Sequence, residues 1–464
     1  MTAPARAEAA SPGLAFGVSR GTLASVWRLA WPAIAHQMSM TLVFMADRAL
    51  VGHSGGRALA SMQVSTTIAW TLVSLLSAVA IGTTALVSRH VGQGDRRGAA
   101  LATRLSLGIA AAIGTVVAIV LLVADGALLE LMFPRVEPAV LIEAERYLAI
   151  ALVALPIALV EAVAAAALQA CGDTRTPLFA ASVANVANLG VSAALIFGVG
   201  PIPALGVAGA AIGSALAFTL QALLLWRVLG RADGPLPLAS ARGASLREHR
   251  AMARRLLAVS GPAAGEKLIY HSGYLAYVAV IALLGATAMA ANQALISIEA
   301  LSYQTAEGFG VAAGVLVGQR LGEGRPEEAA RSCSVSAGLA VLALSGFSLL
   351  FLGAPRLLLG LFSDDPTIVQ HGIAPLTVAA LSQPVMAFAV VAAMALRAAG
   401  ATRVLLVTTA VCAVGLRLGA TWLFAMTLDM GLLGVWLGSS VDWLVHAAVL
   451  GAILVGGRWR RQRV

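Results

Sequence analysis

Apolar residues fill the chain in long runs, separated by short polar connectors. A helix that crosses the hydrocarbon of a bilayer needs about 20 mostly apolar residues. Twelve runs reach that length: 26–51, 59–88, 99–123, 139–169, 177–199, 205–229, 256–284, 287–318, 329–353, 368–396, 403–428 and 431–456. The pattern predicts an all-α membrane protein of twelve transmembrane helices. Residues 1–25 contain Arg6, Glu8 and Arg20 but no apolar core long enough for a signal peptide. They read as a cytoplasmic N-terminal tail, so the first run is an uncleaved span. Residues 231–255 read as a cytoplasmic linker between two halves, 26–230 and 256–456, and 457–464 as a basic cytoplasmic tail.

Composition strengthens this reading. The 464 residues are 59% hydrophobic and 11% charged, against about 25% charged in soluble domains. The 47 glycines suit helices that pack backbone against backbone in lipid. The formal net charge of +9 comes from arginines in connectors. Arg89, Arg96, Arg97 and Arg104 flank connector 2–3, and Arg175 lies in connector 4–5. Connector 6–7 holds Arg227, Arg231, Arg242, Arg247, Arg250, Arg254 and Arg255. Arg320, Arg325 and Arg331 fall at 8–9, Arg397 and Arg403 at 10–11, and Arg458, Arg460, Arg461 and Arg463 close the chain. The opposite connectors are poor in basic residues or carry acids such as Asp364, Asp365 and Asp429. Arginine on one side predicts a multi-pass protein of the bacterial inner membrane with both termini cytoplasmic. No aromatic-basic patch suggests nucleic acid. Cys171, Cys333 and Cys412 have no metal-ligand spacing and read as small packing residues.

The chain repeats. At an offset of 230, Pro32 pairs with Pro262, Gly55 with Gly285, Gln63 with Gln293, and Gly92-Gln93-Gly94 with Gly322-Glu323-Gly324. At an offset of 228, Pro156 pairs with Pro384, Leu168 with Leu396, Gly172 with Gly400, Thr174-Arg175 with Thr402-Arg403, and Gly206-Val207 with Gly434-Val435. Six spans per copy is an even number, so the copies run in the same direction. The fold predicted is two six-helix bundles related by a pseudo-twofold axis along the membrane normal, with substrate sites near the midplane.

These stretches carry a resemblance. Trp31-Pro32 through FMADRALVG (44–52), TALVSRHVGQGD (84–95), LQACGDTRTP (168–177), GVAGAAIGSAL (206–216) and the run from AANQALISIEALSYQ to VGQRLGEG (290–324) occur in order, twice. The chain resembles the multidrug and toxic compound extrusion (MATE) family from end to end, in a branch similar to bacterial DNA-damage-inducible F proteins. The resemblance implies a V-shaped pair of bundles and alternating access. It also implies export of drugs or toxic metabolites driven by proton or sodium entry. It implies that Asp47, fifteen residues after Pro32, binds the coupling cation while Pro32 lets the helix bend. Asn188, Ser192 and Ser214 occupy the positions of that aspartate's partners. Asn188 and Ser192 share one face of a helix, and helix rise puts all four roughly 8–15 Å from the outer ends. Close relatives often have a second aspartate where this chain has Ser192. One carboxylate favours a proton over sodium, although sodium at Asp47 stays open. The competing reading pairs Asp47 with Arg48 or Arg57.

An ionisable side chain in the hydrocarbon is costly and therefore a functional candidate. The C-terminal half offers a second polar site or substrate cavity of Glu266, Tyr270, Glu299, Asp442 and His446. Family members place a glutamate one turn after Glu266, where Tyr270 stands. By the repeat Asp442 lies opposite Ser214, and Glu266 and Asp442 are expected to face one another. Lys267, the only lysine, could neutralise one of them. Alternatively, these groups form a structural ion-pair network. Glu161 could face the cavity, Glu307 is expected in solvent, and His36 is expected as a satisfied packing residue.

The function expected is cation-coupled antiport of drugs or toxic, chiefly cationic, organic compounds by a monomer that is not an enzyme. The partners expected are the small-molecule substrate, H+ or Na+, and the lipid bilayer, with no nucleic acid. No cofactor is expected, because VGQGD and GDTRT lack the full nucleotide-loop pattern. A lipid-linked precursor flippase of the same superfamily is the alternative within transport. An intramembrane enzyme is the alternative outside it, though only Asp442 and His446 offer a suitable spacing.

Overall fold

A computed structural model describes residues 20–462 apart from 54, 135 and 202. The expected N-terminal tail up to residue 19, and residues 463–464 including Arg463, lie outside the described residues. Among the described residues the chain forms twelve long helices. They are α1 (Arg20–Gly52), α2 (Gly56–Gly92), α3 (Arg96–Met132), α4 (Pro138–Ala170), α5 (Arg175–Phe197), α6 (Val207–Leu229), α7 (Leu246–Leu283), α8 (Ala286–Gly322), α9 (Pro326–Gly353), α10 (Pro366–Ala398), α11 (Thr402–Thr427) and α12 (Gly431–Gly456). Helices α1–α6 and α7–α12 make two bundles. By length and composition alone, nine helices among the described residues can cross a membrane. The three left out are α1, α7 and α8, which carry Asp47, then Glu266 and Lys267, then Glu299 and Glu307. Those ionisable side chains lower the apolarity of helices that are otherwise long enough to span.

The helix ends follow from local chemistry. Asp95 caps α3 by accepting from Gly98 N at 2.8 Å. Ser245 and Glu248 form a reciprocal capping box at the start of α7. The connectors at Gly94 and Gly324 (φ +72° and +75°) and at Gly172 and Gly400 (both +90°) need a left-handed residue at repeat-equivalent positions.

The bundles exchange the ends of their first helices. Val26, Leu29 and Ala30 of α1 lie in the core of the C-terminal bundle with Phe309, Ala313 and Val390. Met252 and Leu256 of α7 lie in the N-terminal core with Val87, Leu229, Leu236 and Ala241. The equivalent prolines, Pro32 and Pro262, sit just beyond these exchanged ends. Leu236 and Ala241 also show that the expected linker is packed onto the N-terminal bundle. Outward-facing side chains such as Val123 and Leu349 are 85% and 71% exposed, as lipid contact requires.

Where the bundles meet, the contact is itself twofold. A Cβ on Gly92 would lie 2.0 Å from Gln319 O, and one on Gly322 would lie 2.3 Å from Arg89 O. Arg89 and Gln319 are repeat mates, as are Gly92 and Gly322. Further bonds between the bundles join Gln319 to Ala170 O (2.8 Å), Gln37 to Glu307 (2.8 Å) and Gln304 to Thr41 (2.9 Å). Lys267 reaches Ser74 and Ser77 (3.4 and 3.3 Å), and His271 reaches Ser74 (3.0 Å). Among the described residues these contacts run from the arginine-rich end to the level of Ser74 and Thr41 and no further.

One repeat register needs correcting. Gly209 packs on Leu195 and Ile196, and Gly213 on Ser192; Gly434 packs on Phe424 and Ala425, and Gly438 on Thr421. These glycine pairs, four apart, let adjacent helices touch backbone to backbone. They equate Gly209 with Gly434 and Gly213 with Gly438, an offset of 225 (434 − 209). Ser214 is thus matched by Ser439, and Asp442 by Ala217. Glycine-valine identity aligned the motifs almost one turn out of register.

Candidate functional site

The N-terminal site assembles from three helices. Asp47 of α1 is 5% exposed. Asn188 of α5 donates to its Oδ2 at 3.4 Å, and Ser214 of α6 does so at 3.4 Å. Ser192 donates to Asn188 Oδ1 at 2.7 Å, which orients the amide toward the acid. The four residues expected together are thus brought together. Asp47 Oδ1 has no hydrogen-bond partner among the described residues. The cationic neighbours go elsewhere: Arg48 bonds to Gln63, and Arg57 pairs with Glu143 at 3.6 Å. Buried Tyr147 of α4 stands within electrostatic reach of Asp47 and was not signalled by any spacing. The close α5–α6 approach at Gly213 is what brings Ser214 beside Asn188. A buried carboxylate held only by long bonds from neutral groups can exchange a small cation without first breaking a salt bridge.

In the C-terminal half, Glu266 and Asp442 each take their own arginine, as the alternative ion-pair network expects, and His446 lies within electrostatic reach of both. Glu266 takes Arg397 Nη2 at 2.5 Å and Thr409 Oγ1 at 3.3 Å. Asp442 takes Arg417 Nη2 at 2.6 Å and Nε at 2.7 Å on the same oxygen. Arg417 also lies over the rings of Tyr277 and Trp443, at 5.9 and 5.5 Å from their centroids. Arg397 was counted with connector 10–11, but it turns inward from the last turn of α10. Arg417 was outside the connector count altogether. Its signal was an ionisable residue in the middle of the eleventh apolar run. Two carboxylates buried in the bundle each have their own guanidinium, which offsets part of the cost of burying the charge.

Other polar residues have neutral partners. Glu299 accepts from Gln383 at 3.4 Å. Glu161 accepts from Gln221 at 2.6 Å, both fully buried between α4 and α6. Glu307, expected in solvent, instead accepts from Gln37 across the cleft. Lys267 bonds to serines rather than to an acid. Tyr270 is 39% exposed and meets His271 edge-on. His446 stacks on Trp443. His36 is buried as expected, but neither ring nitrogen has a well-formed hydrogen bond among the described residues.

Comparison with known proteins agrees with this architecture. The protein-family model described as MatE matches residues 32–194 and 262–423, one copy in each bundle. A probable multidrug resistance protein NorM of Thermotoga maritima is 26% identical over 438 residues, 94% of this chain and 93% of that one. Among solved structures, a MOP superfamily transporter from Pyrococcus furiosus and a MATE in the straight conformation each superpose with a TM-score of 0.85 at 20% identity. Each match covers 95% of this chain and 96% of the other. At that identity the superpositions bear on the fold alone.

Proposed function

The chain belongs to the MatE family, and from that premise we propose that it exports drugs or other toxic organic compounds by alternating access, with proton entry driving the export. The observation that carries the coupling site is Asp47, buried with neutral donors on one oxygen and nothing on the other. Sodium asks for several oxygen ligands, and a single carboxylate backed by an amide and a hydroxyl supplies few. A proton needs only the carboxylate.

In this reading a compound enters from the cytoplasm while the arginine-rich end is open and leaves at the other end once that end has closed. Loading of Asp47 with a proton from outside tightens or loosens its grip on α5 and α6. That couples the charge of one side chain to the packing of the N-terminal bundle. Arginine already neutralises Glu266 and Asp442. The acids open to a cationic compound are Glu299 and Glu307, whose partners are amides.

Efflux from everted vesicles, with pH and sodium gradients imposed separately, tests the proposal. A pH gradient alone should drive accumulation of a cationic dye such as ethidium, and Asp47→Asn should abolish it. Accumulation driven by a sodium gradient alone would transfer the coupling to sodium.

A further inference from the structure

We propose that Cys412, Asp442 and His446 form a binding site for a zinc-class divalent cation inside the C-terminal bundle. The ligand atoms of these three side chains, one each of sulfur, oxygen and nitrogen, all lie within 4.8 Å of one another. Zinc holds such ligands at about 2.0–2.3 Å, which sets them about 3–4 Å apart around a tetrahedral ion. Small rotations of the three side chains close that gap.

Two elements build the site. Asp442 and His446 are four residues apart on α12, so they project from one face as a bidentate helical pair. Cys412 faces them from α11, in the π-helical segment Ala410–Leu416. Wide turns of this kind occur often at functional sites. The thiol is free and 1% exposed.

A second, independent observation points to a ligand. Asp442 is 1% exposed, yet its Oδ1 has no hydrogen-bond partner among the described residues. Both guanidinium donors of Arg417 converge on Oδ2. The arginine thereby fixes the plane of the carboxylate and presents the bare oxygen, as outer partners do for metal ligands. A buried acceptor left without a partner is costly, and an ion at that position removes the cost. Arg417 also lies over the faces of Tyr277 and Trp443, whose ring quadrupoles favour positive charge in this part of the bundle.

The donor set selects the metal. Calcium and magnesium take oxygen ligands, whereas thiolate with imidazole and carboxylate suits zinc, cobalt or cadmium. On binding, the Cys412 thiol gives its proton to water and the sulfur–metal bond forms, with no change of oxidation state. Three protein ligands leave one position of the ion open. Half-buried His446 stands at the margin of the site, where an ion would enter.

Cobalt(II) titration of the purified full-length protein in detergent tests the proposal, whatever the transported substrate. A sulfur-to-cobalt charge-transfer band in the near ultraviolet is expected, with visible bands of tetrahedral strength that zinc bleaches. Cys412→Ser should abolish the charge-transfer band while the thermal melt of the unliganded protein stays as in the parent. His446→Ala should weaken cobalt binding about tenfold or more, and it decides the matter if Cys412→Ser does not fold. No band in excess cobalt, a band that survives Cys412→Ser, or unchanged binding by His446→Ala would overturn the site.

Discussion

Asp47 and the C-terminal acids are held in opposite ways, and substitutions should respond accordingly. Asp47→Asn removes a charge that no guanidinium balances. Drug resistance conferred on a sensitive host should vanish while membrane expression persists, and the melting temperature should hold or rise slightly. Resistance equal to the parent would remove Asp47 from the coupling. Arg417→Met instead strands Asp442 in the interior. Breaking a buried ion pair costs about 3–5 kcal/mol, so this variant should melt far below the parent, and adding Asp442→Asn should recover much of the loss. Equal melting of single and double variants would show that the pair contributes little. The N-terminal quartet was legible because the family resemblance assigns Asp47, Asn188, Ser192 and Ser214 to matching positions, and helix rise puts all four at similar depth. The arginine partners were not. Pairing of Arg397 with Glu266 depends on how α7 and α10 rotate about their own axes, and spacing along one chain does not carry that rotation.

Among the helices, twelve apolar runs translated into twelve long helices, with ends shifted by a few residues. Helix α1 begins at Arg20 and α7 at Leu246, earlier than their apolar stretches. The exposed first turn of α7 is helical because Ser245 and Glu248 cap it, and the residues packed on the other bundle, Val26 and Leu29 in α1 and Met252 and Leu256 in α7, lie further along. The sequence pattern could not reveal that exchange, since apolarity does not say which bundle a side chain enters. The latch between α2 and α8 was present in the sequence only as two similar glycine motifs. Its reciprocal geometry makes a prediction. Gly92→Val has no room against Gln319 O, so the bundles must part at the arginine-rich end. Spin labels at Gln93 and Glu323 should report a longer distance distribution in this variant than in the parent. An unchanged distribution would mean that the contact is not a latch.

For the molecule as a whole, two parallel bundles follow from duplication, and the arginine asymmetry orients them. Cysteines introduced at Asp233 or Ser240 should resist an impermeant maleimide in intact cells and react in everted vesicles. Labelling in intact cells would invert the topology. Alternating access requires that the two ends open in turn, and proton coupling requires that the charge on Asp47 change as substrate moves. Proton movement in proteoliposomes measures that requirement directly. With purified protein, no sodium and no imposed pH gradient, an outward-directed gradient of a cationic substrate should move protons inward against it. Proteoliposomes of Asp47→Asn should move none, although the variant still binds substrate. Proton movement by Asp47→Asn at the parent's rate, or substrate movement by the parent with no protons moved, would contradict the account.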